Sequence, residues 1–143
     1  MLRTIIFYLY FWVFLVLSLF IYAAYKLIAW LVPKAKNRML LVLVQWWARN
    51  ILRIGGVKVN LINHENIPNY TNVCFVSNHQ SNYDIGIIIS SVPMLIGFIA
   101  KVELKKFLPL QVWMNEINCI FINRKRPKLS IKKVEQRINA IQE

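Results

Sequence analysis

Val73-Cys74-Phe75-Val76-Ser77-Asn78-His79-Gln80-Ser81-Asn82-Tyr83-Asp84-Ile85-Gly86 is the stretch on which the fold turns. A short apolar run, Val73–Ser77, reads as a buried strand. A polar loop follows, and Tyr83–Ser91 has the composition of a helix with one greasy face, although its three consecutive isoleucines also suit a strand. Strand, loop and helix in that order form the basic unit of an α/β protein. The loop at the strand's end is where such folds hold reactive groups.

The same alternation continues on both sides. Upstream, Val57, Val59 and Leu61 alternate with Lys58 and Asn60, as in a strand with one buried face. His64–Asn72, with Pro68, reads as a polar loop. Downstream, Leu95–Ala100 and Cys119–Asn123 read as further strands, with short helical pieces over 102–107 and 110–116. Leu129–Gln142 reads as an amphipathic helix with Ile131, Val134, Ile138 and Ile141 on one stripe, capped by Ser130 or nearby polar groups. Strands alternating with helices predict a largely parallel sheet flanked by helices. Val73–Val76, Ile96–Ala100 and Cys119–Ile122 are apolar enough for burial on both faces. Cys74 and Cys119 lie far apart within apolar runs and read as reduced core residues.

Gly55-Gly56 separates this region from a different one, giving an expected division into 1–54 and 55–143. Thr4–Tyr25 is a run of 22 residues without a charge. As a helix it would be ~33 Å long, against ~30 Å of bilayer hydrocarbon. A signal peptide would have a shorter apolar core and a small-residue cleavage site, and Ala23-Ala24 is flanked by bulky Tyr22 and Tyr25. An uncleaved anchor is therefore the favoured reading. Residues 35–54 carry Met39, Leu40, Leu43, Trp46, Trp47 and Leu52 at helical spacing, interrupted by Arg38, Arg49 and Arg53. This second helix either packs on the domain or lies on anionic lipid, and the two are compatible. Lys26, Lys34, Lys36 and Arg38 outnumber Arg3 across the anchor, so the positive-inside bias places the bulk of the chain in the cytoplasm. A hairpin that enters the membrane without crossing also fits.

Composition agrees with a protein divided between lipid and a negative surface. Hydrophobic residues make up 57%, yet Lys and Arg outnumber Asp and Glu by 18 to 6. Charge alone fits nucleic acid as well as anionic membrane. The apolar content favours the membrane, and no nucleic-acid recognition motif is present.

Asp84 is the only aspartate, five residues after His79. Within one helix that spacing would turn the two side chains about 140° apart. They meet only if His79 precedes the helix and Asp84 sits in its first turns, with Ser81 or Asn82 as N-cap. A carboxylate on one imidazole nitrogen fixes the tautomer and supports the charge formed when the other nitrogen takes a proton, which equips the pair to activate a hydroxyl. On spacing alone, a capping loop that happens to contain these residues is the favoured reading. Arg124 follows a strand and its guanidinium suits a phosphate. It also opens the basic run Arg124-Lys125-Arg126-Lys128, which on its own reads as a face toward lipid or solvent.

Asn78-His79-Gln80-Ser81-Asn82-Tyr83-Asp84 resembles the first motif, N-H-x-S-x-x-D, of the 1-acylglycerol-3-phosphate acyltransferase family. Phe98–Leu104 is similar to that family's following stretch, and Ile120-Phe121-Ile122-Asn123-Arg124 to its second motif, G-x-x-F-I-x-R. The resemblance implies an N-terminal membrane helix pair and transfer of a fatty acyl group to the free hydroxyl of a lysophosphatidate, giving phosphatidic acid. His79 would be the general base, oriented by Asp84. Arg124 would hold the acceptor's phosphate, with Lys101 assisting. The acyl donor would be the thioester of acyl-CoA or acyl carrier protein, as co-substrate, and neither cofactor nor metal is implied. Membrane lipid and the acceptor would be the partners, with no nucleic acid. Asn118 stands where the family's second motif begins with Gly, and Asn tolerates positive φ better than most residues. The family's third block, near F-P-E-G-T-R, and its fourth do not occur before Glu143. The alternative expectation is accordingly a truncated, catalytically inactive membrane-associated fragment that folds poorly beyond its helices.

Overall fold

The computed structural model describes the backbone of residues 2–68 and 73–142 and the side chains of 4–68 and 73–139. Residues 69–72 of the expected loop, and the Ile141 side chain of the expected stripe, lie outside the described residues. The chain forms two compact units, Met1–Leu95 and Ile96–Glu143.

The first unit begins with α1, Leu2–Leu31, a helix long and apolar enough to cross a membrane. It runs past the expected Tyr25 because Lys26 interrupts charge neutrality but not helix propensity. Pro33 opens a single 3₁₀ turn, Pro33–Ala35, and the chain reverses into α2, Lys36–Gly55. The two helices pack antiparallel. Phe11 meets Trp47 (6.4 Å between ring centroids) and Phe14 meets Trp46 (5.7 Å). Leu15, Tyr25, Leu40 and Ala48 are buried in this unit, while Ile5, Leu9, Val16, Phe20 and Leu27 are exposed.

α2 ends at Gly56, whose φ of 71° is the left-handed conformation glycine adopts without steric cost. The Gly56 amide donates to Arg53 O and the Val57 amide to Leu52 O, a Schellman termination. The third helix, α3, spans Tyr83–Ser91 as expected. It packs on α2 where Gly86 has no side chain, so that Leu52 closes over it. The Gln45 amide donates to Val92 O at 2.9 Å and accepts from Arg49 at 3.0 Å, tying the far end of α3 to α2.

The second unit contains the sheet, two parallel strands, β1 (Ile99–Lys101) and β2 (Ile120–Ile122), in register Ile99 with Ile120 and Lys101 with Ile122. They are joined by a 3₁₀ turn, Val102–Lys106, and α4, Leu108–Glu116. The helix α5, Pro127–Gln142, packs on β2. Phe121 is buried, with Lys105 Nζ 4.9 Å from its ring centroid.

Several expectations are corrected. Val57–Leu61 and Val73–Ser77 form no strands; among the described residues the only ladder joins β1 and β2. Strand structure requires a hydrogen-bonded neighbour as well as apolar alternation, and neither segment has one. The expected double-sided burial of Val73–Val76 fails with it: Val76 is 93% exposed and Cys74 is exposed. Cys119 is free, as expected, and half-buried; burial pushes its thiol pKa up, partly offset by the Phe98 amide. Ser130 does not cap α5. The helix already opens at Pro127, a residue suited to the first helical position.

Candidate active site

The turn before α3 is a capping box built from Ser81 and Asp84. Asn82 already has helical dihedrals and makes no side-chain cap, so by hydrogen bonding the cap is Ser81. Ser81 Oγ accepts the Tyr83 amide at 3.2 Å, and Asp84 Oδ2 accepts the Ser81 amide at 2.8 Å. The same Oδ2 accepts the Gln80 amide at 2.8 Å and lies 3.1 Å from His79 Nδ1. One carboxylate oxygen therefore closes the helix and holds the imidazole. The capping-loop reading and the chemical reading of this segment describe the same bonds.

Electrostatics fix the tautomer. The amide bonds from Ser81 and Gln80 hold the Asp84 carboxyl below the usual carboxylate range; desolvation opposes them, and the His79 contact adds a smaller lowering. An ionised carboxylate only accepts hydrogen bonds. The 3.1 Å contact then requires the proton on Nδ1, leaving the Nε2 lone pair as the base. The His79 side chain is 62% exposed and Asp84 26%, so Nε2 is open to a substrate while the carboxylate is partly shielded.

Lys101 and Arg124 lie in the second unit. Lys101 ends β1 opposite Ile122, and Arg124 follows two residues after Ile122, so both leave the sheet at the C-terminal edge of its parallel strands. Arg124 is exposed. Its turn is stapled by Ser130, whose hydroxyl accepts the Asn123 amide at 3.1 Å and donates toward Asn123 O and Arg126 O at 2.9 and 3.1 Å. Asn123 Oδ1 in turn accepts the Lys125 amide at 2.9 Å. Asn118 sits at φ 60°, in the left-handed region that asparagine tolerates better than most residues. Among the described residues, no three of His, Cys, Asp and Glu gather to hold a metal.

Sequence reasoning expected His79 and Asp84 to meet, as they do, but missed the capping box, which the spacing Ser81-x-x-Asp84 signals. It also missed Ser130 as the staple of the Arg124 turn; no local pattern marks a contact across seven residues.

Comparison with known proteins assigns the family. The Acyltransferase family model matches residues 58–143. The chain belongs to the acyltransferase family. It is 39% identical over 98 residues to a protein of Mycoplasma pneumoniae named "Probable 1-acyl-sn-glycerol-3-phosphate acyltransferase". That match covers 64% of this chain and 36% of the relative, so the chain corresponds to about a third of the relative's length. No solved structure matches the chain.

Proposed function

We propose that the protein transfers a fatty acyl group from the thioester of acyl-CoA or acyl carrier protein to the free hydroxyl of 1-acylglycerol-3-phosphate, giving phosphatidic acid. The observation that carries this reading is the 3.1 Å contact between His79 Nδ1 and an Asp84 carboxylate anchored by two backbone amides. His79 Nε2 removes the acceptor's hydroxyl proton as its oxygen attacks the thioester carbonyl. The tetrahedral adduct collapses with loss of the thiolate, which takes that proton back from the imidazolium. Arg124, assisted by Lys101, binds the acceptor's phosphate, for which a planar guanidinium is geometrically suited.

The relative's name supports the choice of acceptor, and the exposed apolar face of α1 supports a membrane location. α2 lies along α1 and carries the exposed Arg38, Arg49 and Arg53. A crossing α1 would draw these arginines toward hydrocarbon at a cost of several kcal/mol. The arginines therefore favour an α1–α2 hairpin that lies along the membrane surface, with the apolar face of α1 in lipid and the basic residues at anionic headgroups.

Competition between acceptors tests this reading. With an acyl-CoA donor, we expect lysophosphatidate to be acylated and monoacylglycerol, which lacks the phosphate, to be a poor acceptor. Arg124→Ala should raise KM for lysophosphatidate at least tenfold, since an arginine–phosphate contact is worth about 1.5–3 kcal/mol. Equal rates on both acceptors, or an unchanged KM in Arg124→Ala, would rule out the phosphate assignment.

A further inference from the structure

His79 is not held by packing, because its side chain is mostly exposed. Its hydrogen bond to Asp84 holds it, and Asp84 is held by amides of the same turn. Those bonds are internal. They shape the turn but do not fix it against the rest of the unit. One residue of the turn reaches outward, and the motif leaves its identity open. The Tyr83 ring packs edge-on against Phe7 of α1, 5.5 Å between centroids at 60°. The ring also rests on bare backbone at Gly55, the last residue of α2. A Cβ placed on Gly55 would lie 2.8 Å from Tyr83 Cε1, 3.0 Å from Oη and 3.1 Å from Cζ. The seat exists only because residue 55 has no side chain.

We propose that Tyr83 is a positioning residue: its ring, packed against both Phe7 and Gly55, locks the His79–Asp84 turn to the α1–α2 hairpin and so sets the direction of the base. Tyr83 adjoins Asp84 in the chain, and its amide is bonded to Ser81 Oγ. A shift of the ring is therefore passed directly to both members of the capping box. The aromatic ring makes the contacts, so the hydroxyl is dispensable. Gly86 against Leu52 docks the body of α3 separately, so removing the ring loosens the turn without undocking the helix. The inference deepens the acyl-transfer reading and rests on it for its consequence in turnover, though not for its geometry.

The test follows His79 directly. The chain contains two histidines, His64 and His79, so nitrogen-15 NMR of histidine-labelled protein in detergent micelles assigns the His79 ring with a single His64→Gln control. At about pH 8, above the usual histidine range, the wild type and Tyr83→Phe should carry the proton on Nδ1. In Tyr83→Ala the ring should relax to the tautomer mixture of a free histidine. Acyl transfer should then fall on the order of a hundredfold, the scale set by an ångström of misplacement, with KM for the acceptor within about threefold of wild type. Gly55→Ala, which places a methyl in the seat, should move both readouts in the same direction. Should Tyr83→Ala lose helix content, Gly55→Ala decides. The proposal is overturned if Tyr83→Ala keeps both the Nδ1 proton and its turnover, or if Tyr83→Phe fails as completely as Tyr83→Ala. A wild-type protein that shows the Nδ1 tautomer but no acyl transfer defeats the reading of function alone, and the tautomer comparison still judges Tyr83.

Discussion

Replacing Gly97 by alanine probes the closest backbone approach in the second unit. Gly97 is not in the left-handed region, where Gly56 is the one glycine found among the described residues, so the effect is purely steric. The new Cβ would meet Asn118 O at 2.6 Å and Ile117 O at 2.8 Å, against 3.4 Å for ordinary contact. Both obstacles are backbone, and Asn118 is fixed at φ 60°, so neither carbonyl swings away as a side chain would. The strand must retreat by most of the shortfall, and the next residue, Phe98, accepts the Ile120 amide at 2.8 Å. Overpacking of this kind costs about 1–3 kcal/mol, and loss of that bond adds about 1 kcal/mol. A total of about 2–4 kcal/mol corresponds to a fall in hydrogen-exchange protection of about thirtyfold to several hundredfold. We expect that fall at the Ile120 amide of detergent-solubilised Gly97→Ala. Gly86→Ala is the internal contrast: its Cβ would meet Leu52 at 3.5 Å, ordinary contact, and should raise α3 protection, since alanine gains up to about 1 kcal/mol over glycine in a helix. A wild-type Ile120 that is protected, together with a Gly97→Ala ratio within threefold, would refute the argument.

Asn118→Gly should hold or slightly raise the urea midpoint of the second unit, whereas Asn118→Val should lower its stability by about 1–2 kcal/mol, the penalty for a β-branched residue at positive φ. Ser130→Ala strips the Asn123 amide and carbonyl of their partner. It should cost about 1–3 kcal/mol in chemical denaturation and raise KM for the acceptor while kcat holds. The depressed Asp84 pKa means that its bonds to Gln80, Ser81 and His79 contribute fully above the usual carboxylate range and are lost as pH falls through the lowered value. Carbon-13 titration of the single aspartate should therefore show a midpoint below that of a free aspartate; one at or above it would contradict the capping geometry.

The helices were legible because their signals are local. Thr4–Tyr25 is uniformly apolar, Met39–Leu52 repeats at helical spacing, and Gly55-Gly56 supplies the residue a Schellman turn needs. The His79–Asp84 meeting was legible for a related reason: a separation of five residues excludes one continuous helix and leaves a single geometry, which the structure adopts. The strands were less legible. Ile99–Lys101 and Ile120–Ile122 pair with each other, but Val57–Leu61 and Val73–Ser77 carry comparable apolar patterns without a ladder. Alternation states which face a strand would bury, and pairing depends on a distant segment that no local pattern names. Cys74 was misjudged for that reason. Tyr83 was passed over because its partners, Phe7 and Gly55, lie 76 and 28 residues away.

The central claim, that His79 takes the acceptor's proton, is tested most directly by one substitution. Membranes from cells expressing the protein from its complete gene, wild type or His79→Ala, are supplied with labelled acyl-CoA and lysophosphatidate, and labelled phosphatidic acid is counted at equal protein levels. We expect the wild type to form it and His79→Ala to fall by about 10²–10⁴-fold, the range for loss of a general base. Phosphatidic acid formed by His79→Ala at the wild-type rate would contradict the account.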